Sequence, residues 1–144
     1  MSIRESIASD IVTTLQAATT PVTPKYVTRE PFEFTELSNA QFPAILVQSG
    51  TESRSDITIG DDQITREGTI TYEVVGYVKS STIDTARNNL LETIEEALDA
   101  DRTRNGVALD TQVVSIETDE GAIAPIGGII VTVQVMYNFV RGNT

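Results

Sequence analysis

Cysteine, histidine and tryptophan are all absent from this chain of 144 residues. Without cysteine there is neither a disulfide nor a thiolate metal site, and the composition suits a reducing compartment. Without histidine the chain lacks the commonest general base, the commonest transition-metal ligand and the usual partner of a Ser or Cys nucleophile. Basic residues are scarce as well: 10 Lys and Arg stand against 21 Asp and Glu, a formal net charge of −11. Phosphate backbones and anionic lipids are held by clustered cations, so tight binding to nucleic acid or to a membrane surface is not expected. Long apolar runs are also missing. The longest apolar zone, Ile129 to Val135, is interrupted by Thr132 and Gln134 and is far shorter than the roughly 20 residues that cross a bilayer. The opening Met1-Ser2-Ile3-Arg4-Glu5 lacks the apolar stretch of a signal peptide, so cytoplasmic synthesis and assembly are expected.

What remains is enough for one core. Hydrophobic residues make up 40% of the chain, and no linker, repeat or low-complexity tract divides it, which predicts a single domain over residues 1–144. Ser2 and Glu5 form a capping-box pattern, and Ile3, Ile7, Ile11 and Leu15 place one apolar stripe on a helix that Pro21 and Pro24 bring to an end near Ala18. Residues 21–43 read as an edge strand or extended arm, because Pro31 interrupts the strand-like Tyr26, Val27, Phe32 and Phe34. Phe42 to Val47 reads as a buried strand that runs out at Ser49-Gly50.

The segment Thr51–Gly68 is polar and charged around a Gly60-Asp61-Asp62 turn signal, with Ile57, Ile59 and Ile64 in sparse alternation. This predicts a projecting β-hairpin, since a structureless loop of that length is uncommon. Thr69–Lys79 is a strand with Ile70, Tyr72, Val74 and Val78 on one face. Ser81 with Asp84 reads as a second helix start, followed by a wide apolar face of Ile83, Ala86, Leu90, Leu91, Ile94, Ala97 and Leu98, with Arg87, Asn88, Glu92, Glu95 and Glu96 turned away. Asp99–Gly106 is a charged connection and Val113–Glu117 a strand ending in an Asp119-Glu120-Gly121 turn. The alternation from Ile129 to Phe139 predicts a final strand about 40 Å long that crosses the domain. The sum is an α+β fold: a mainly antiparallel sheet, two amphipathic helices packed on one face, and the projecting hairpin.

Each cluster that could carry chemistry has a plainer reading. Asp61-Asp62 sits where a turn needs short polar residues. Asp99-Ala100-Asp101 resembles the start of a calcium loop, but Thr103 and Arg104 occupy the positions where a further oxygen ligand and glycine are required. Glu117, Asp119 and Glu120 follow a strand as an ordinary turn. Carboxylate catalysis of the glycosidase kind needs a buried pair backed by aromatic platforms, and the aromatics here fall at alternating core positions. Gly127-Gly128 is followed by a strand, not by the Lys and helix of a phosphate loop, so it reads as a turn or bulge. No catalytic residue, metal or cofactor is predicted. Two features favour docking instead: the arm at 51–68, with Arg54 and Arg66 flanking its isoleucines, and the final strand, whose outer face carries Ile130 and Met136.

In order and texture the chain resembles the small tail-terminator, or tail-completion, proteins of tailed bacteriophages. The resemblance runs through the opening helix from Ile3 to Leu15, the strand entry Phe42-Pro43-Ala44-Ile45-Leu46-Val47, the charged hairpin, the strand Thr69 to Val78, the helix containing Asn89-Leu90-Leu91, and the closing strand Ile130 to Phe139. It implies a virion structural protein that forms a homomeric ring, commonly of six. Such a ring caps the tail tube, meets a neck or head–tail connector protein, and lets DNA pass through an acidic lumen without tight binding. The alternatives are another connector, neck or baseplate component, and a small carboxylate-based hydrolase.

Overall fold

A computed structural model describes residues 2–58, 60, 64–119 and 125–142. Its elements are α1 (Ile3–Ala17), β1 (Tyr26–Thr28), β2 (Ala44–Asp56), β3 (Thr65–Lys79), α2 (Ile83–Asp99), β4 (Asp110–Thr118) and β5 (Ile126–Val140). The five strands form one sheet in the order β1-β2-β3-β5-β4. All neighbours are antiparallel except the short β1, which runs parallel to β2. β5 therefore lies inside the sheet, as a strand apolar on both faces requires.

One face of the sheet is covered. Ile45, Val47, Ile70, Tyr72, Val74, Val131, Val133 and Val135 meet Ile7, Ile11 and Leu15 of α1 and Leu90, Ile94 and Leu98 of α2 in a single core. This is the α+β arrangement expected from the two periodicities, four-residue in the helices and two-residue in the strands. The Ser2 hydroxyl accepts the Glu5 N–H (3.1 Å) and starts α1, one half of the expected capping box; the Glu5 carboxylate is held by Arg29 (2.7 and 3.1 Å). α2 starts differently. Its cap position is Thr82, which makes no side-chain cap bond, and the Thr82 N–H is instead taken by the Ser80 hydroxyl (3.0 Å), so the expected Ser81–Asp84 cap is not formed.

Two glycines set how closely α2 approaches the sheet. A Cβ at Gly76 would stand 2.6 Å from Leu90 Cδ2, and one at Gly127 would overlap Ile83 Cγ2. Gly127 and Gly128 are in register opposite Val78 and Tyr77. They are thus neither turn nor bulge: Gly127 is kept small so that the first turn of α2 can lie on the strand, while Gly128 faces the other side, where a Cβ would stand 3.1 Å from the Asp119 carboxylate.

Two arginines that read as solvent-facing are buried. Arg87 Nη1 lies 2.7 Å from both the carbonyl and the carboxylate of Asp119, tying α2 to the end of β4. Arg104 is fully buried, with a positive φ of 49° followed by 61° at Asn105 and 86° at Gly106. It donates to the carbonyls of Leu98 (2.6 Å) and Asp101 and stands 3.3 Å from Asp10 of α1. A cation on the last carbonyls of a helix is favoured by their partial negative charge, so this one side chain closes α2 and binds it to α1.

Candidate assembly surface

The hairpin is present, but its base belongs to the sheet. β2 and β3 stay paired out to Asp56 opposite Arg66, and β5 accompanies β3 to Val140 opposite Thr65. Among the described residues, Ile57, Thr58, Gly60 and Ile64 lie beyond this three-stranded base, in the segment called the arm. A register shift between Ser49 and Glu52 turns Glu52, Arg54 and Asp56 to the helix side, where Glu52 and Arg54 meet Tyr137, and Arg54 also meets Phe139.

There Glu52 is the centre of a network. Its side chain is 5% exposed and lies 3.2 Å from Arg4 of α1. It also accepts from Arg54 Nε and from the Tyr137 hydroxyl (2.8 Å). The Arg54 guanidinium rests 4.6 Å above the Phe139 ring, a cation–π contact, and the bond to Glu52 raises its pKa. Burial, then the Glu52 carboxylate, pushes the Tyr137 phenol up. Arg66 pairs with Asp56 at 2.7 Å. Both arginines named from the sequence are thus held within the base, on its helix side.

At the start of the arm, Ile57 and Thr58 both donate to the Thr65 carbonyl, and the Thr65 N–H returns to the Thr58 hydroxyl (2.9 Å). Ile57 is 49% exposed. Ile64 is half-buried, and its carbonyl accepts the Arg141 N–H (2.8 Å). Ile59 lies outside the described residues, as do Asp61, Asp62 and Glu120. Ile130 and Met136 are half-buried on the sheet face away from the helices, opposite Val75 and Thr69 of β3. The structure therefore separates the sequence candidates into the arm, its base and the uncovered face.

That uncovered face has a distinctive chemistry. Phe32 and Phe34 pack on Tyr77 at one end. Beyond it, the rows from Glu67 to Tyr77 on β3 and from Gly128 to Asn138 on β5 show Thr69, Thr71, Thr132 and Gln134. Glu67, Glu73, Asp110 and Glu117 share this face with the apolar Leu46, Val75, Ile130 and Met136; Lys79, in alternation with Tyr77, stands at its end, and Arg102 lies 3.9 Å from Asp110. Sequence reading missed one further region: Val107, Leu109, Val114 and Ile116, in and before β4, are exposed. The available signal was that Thr111 to Ile116 carries no charge.

Among the described residues no three carboxylates converge as a metal site would require. Asp119 is bonded to Arg87 and to the Gly128 N–H (2.7 Å). Asp101 holds Thr103 and Asn105 in its loop, and these bonds keep its carboxyl below the usual range. Each of these two clusters is accounted for by local structure.

No protein-family model matches the chain, and no curated protein matches it. Among solved structures, a chain of the virion of a native gene transfer agent (GTA) particle is similar to it. The two share 9% sequence identity and a TM-score of 0.58, over 95% of this chain and 98% of that one. At that identity the likeness is one of fold, and it extends over nearly the whole of both chains.

Proposed function

We propose that this chain is a structural virion subunit that forms a homomeric ring, capping the tube of a phage-like tail and joining it to the neck or head. The observation that carries the reading is the fold likeness to a virion chain, which leaves almost no part of either chain unmatched. A fold alone does not fix a function, so the surfaces matter. The arm with Ile57, Ile59 and Ile64 supplies the intersubunit contact, with Arg54 and Arg66 at its base. The uncovered sheet face, on which carboxylates outnumber the terminal Lys79 and which otherwise carries hydroxyl, amide and apolar groups, is the wall we assign to the DNA channel. A polyanion slides along such a wall, because no counterions are released by contact with it. Ile130 and Met136, named from the sequence as contact residues, lie in the interior of that face between β3 and β4 and in this reading line the wall. Another connector, neck or baseplate position is the second reading, favoured by the same likeness.

Native mass spectrometry and negative-stain electron microscopy test this, with and without tail-tube protein. A discrete ring or a capped tube is expected, with no tight duplex-DNA binding at physiological salt. A strict monomer at every salt concentration, without affinity for tube protein, overturns the reading. Replacing residues 58–64 by a short Gly-Ser link leaves the three-stranded base intact; it should preserve the monomer's Tm and abolish the ring.

A further inference from the structure

Most cations of this chain are already taken. Of its 10 Lys and Arg, seven arginines face carboxylates of their own chain. Among the described residues, Lys25, Lys79 and Arg141 are left without one.

Lys79 is set in a cavity. The end of β3, the entry to β2 and the first two turns of α2 enclose a half-open space of about 490 Å³. Phe42 and Val78 give it an apolar floor, and Lys79, Thr85 and Asn89 bring N–H and O–H groups to its wall. No Asp or Glu is among the residues that line it, although the chain carries 21. The Lys79 ammonium donates to the Asn39 side-chain carbonyl (2.6 Å) and lies 6.0 Å from the centroid of the Phe42 ring. An amide oxygen takes one of the three ammonium N–H groups and leaves the positive charge uncompensated. The Thr85 hydroxyl and the Asn89 side-chain amide make no hydrogen bond among the described residues. An apolar floor with convergent donors and one cation suits a carboxylate on a short apolar stem, the chemistry of Asp and Glu.

Charge also argues for where that acid comes from. When two copies with a net charge of −11 meet, carboxylates crowd the contact unless a cation of one copy takes up a carboxylate of the other. We propose that this cavity receives an Asp or Glu side chain of a second copy of the chain and pairs its carboxylate with Lys79. The inference rests on the homomeric reading above and adds a contact to it. The contact is heterologous, cavity on one copy and acid on the next, and such contacts propagate into a closed ring or a filament. It also masks the cation that ends the sheet face assigned to the channel.

The rarity of lysine makes the test direct. A water-soluble carbodiimide condenses an amine with a carboxylate that touches it, forming an amide while the reagent takes up the water as a urea. The amines of this chain are Lys25, Lys79 and the N-terminus. Rings assembled from a mixture of isotope-labelled and unlabelled chain should yield Lys79 peptides joined to an Asp or Glu peptide of the other isotope. Lys79→Arg should keep the ring and lose the link, because a guanidinium keeps the charge and does not condense. Lys79→Glu should keep a near-wild-type Tm and weaken assembly by more than about tenfold, through like-charge repulsion. Thr85→Asp seats a carboxylate in the cavity at a helix position that favours one; it should weaken assembly without lowering Tm. If rings form, Lys79 links only within its own chain and Lys79→Glu assembles normally, the cavity contact is overturned and the homomeric reading stands. If Lys79 links only to added tube protein, a second copy is excluded as the occupant. Salt-sensitive duplex-DNA binding that Lys79→Glu abolishes assigns the cavity to phosphate and overturns the proposal. A wild-type monomer under all conditions removes both proposals. Should Lys79→Glu fail to fold, Thr85→Asp and the isotope-mixed link still decide.

Discussion

Glu52→Gln removes one negative charge from the base of the arm while keeping the side chain's size. The carboxylate it replaces is 5% exposed and faces Arg4, Arg54 and the Tyr137 hydroxyl. An amide cannot accept from all three, and its own N–H₂ must turn towards a donor. Charge-assisted hydrogen bonds are worth about 1.5–3 kcal/mol each. The Arg4 and Arg54 side chains are 40 and 32% exposed, however, and recover water when released, so most of that is discounted. The remaining loss is about 2 kcal/mol, which lowers Tm by roughly 6 °C in a domain of this size. Circular-dichroism melts of Glu52→Gln, Arg54→Leu and the double variant should show a coupling of about 1 kcal/mol between the two positions. Raising salt to 1 M should remove only a small part of it, because a buried carboxylate is poorly screened. A Tm within about 1 °C of wild type together with zero coupling would show that the base is held by the strand ladder alone, and the network argument would fail.

Three further outcomes are expected. Leu90→Asp should unfold the domain in denaturant titration, because Leu90 is fully buried and an unpaired carboxylate there costs several kcal/mol; Glu95→Gln should change stability by no more than about 0.5 kcal/mol. Gly127→Ala should cost about 1–3 kcal/mol through overlap with Ile83, and Ile83→Ala in the same chain should recover part of it. Burial raises the Tyr72 phenol to about 12, above its unfolded value near 10. Its contribution to stability is therefore complete below about pH 10 and is lost as pH rises towards 12; ultraviolet titration of Tyr72→Phe should lack that alkaline step.

The elements were legible wherever one face alone is buried. Ile7, Ile11 and Leu15, or Ile70, Tyr72 and Val74, announce their period because each element divides cleanly between core and solvent. The errors share another cause. Arg87 and Arg104 are polar by type, yet each is buried against carbonyl oxygens whose positions depend on the finished fold. Arg87 falls in the middle of the apolar face of α2, where only the later placement of Asp119 makes it tolerable. The run Arg104-Asn105-Gly106 did carry a signal, since Asn-Gly favours positive φ. Gly127-Gly128 was misread because close approach and a tight turn both call for glycine. Of the candidate surfaces, the arm was visible as polar length with spaced isoleucines. The β4 edge was not, because an exposed valine or isoleucine in a strand looks like a core residue until the sheet order is known.

That order has a bearing on how the subunit is made. β3 and β4 are never neighbours; β5 lies between them, and its pairing with β3 joins residues as far apart as Thr65 and Val140. Pairings across so much chain are slow to close. As the polypeptide leaves the ribosome, β2 and β3 can zip together, but β3 keeps a bare flank and β4 has nothing to join until residues 126–140 emerge. A ribosome-bound or prematurely terminated product therefore lacks both the finished sheet and the three-stranded base of the arm. Completion of the sheet is thereby limited to chains whose translation has passed Val140.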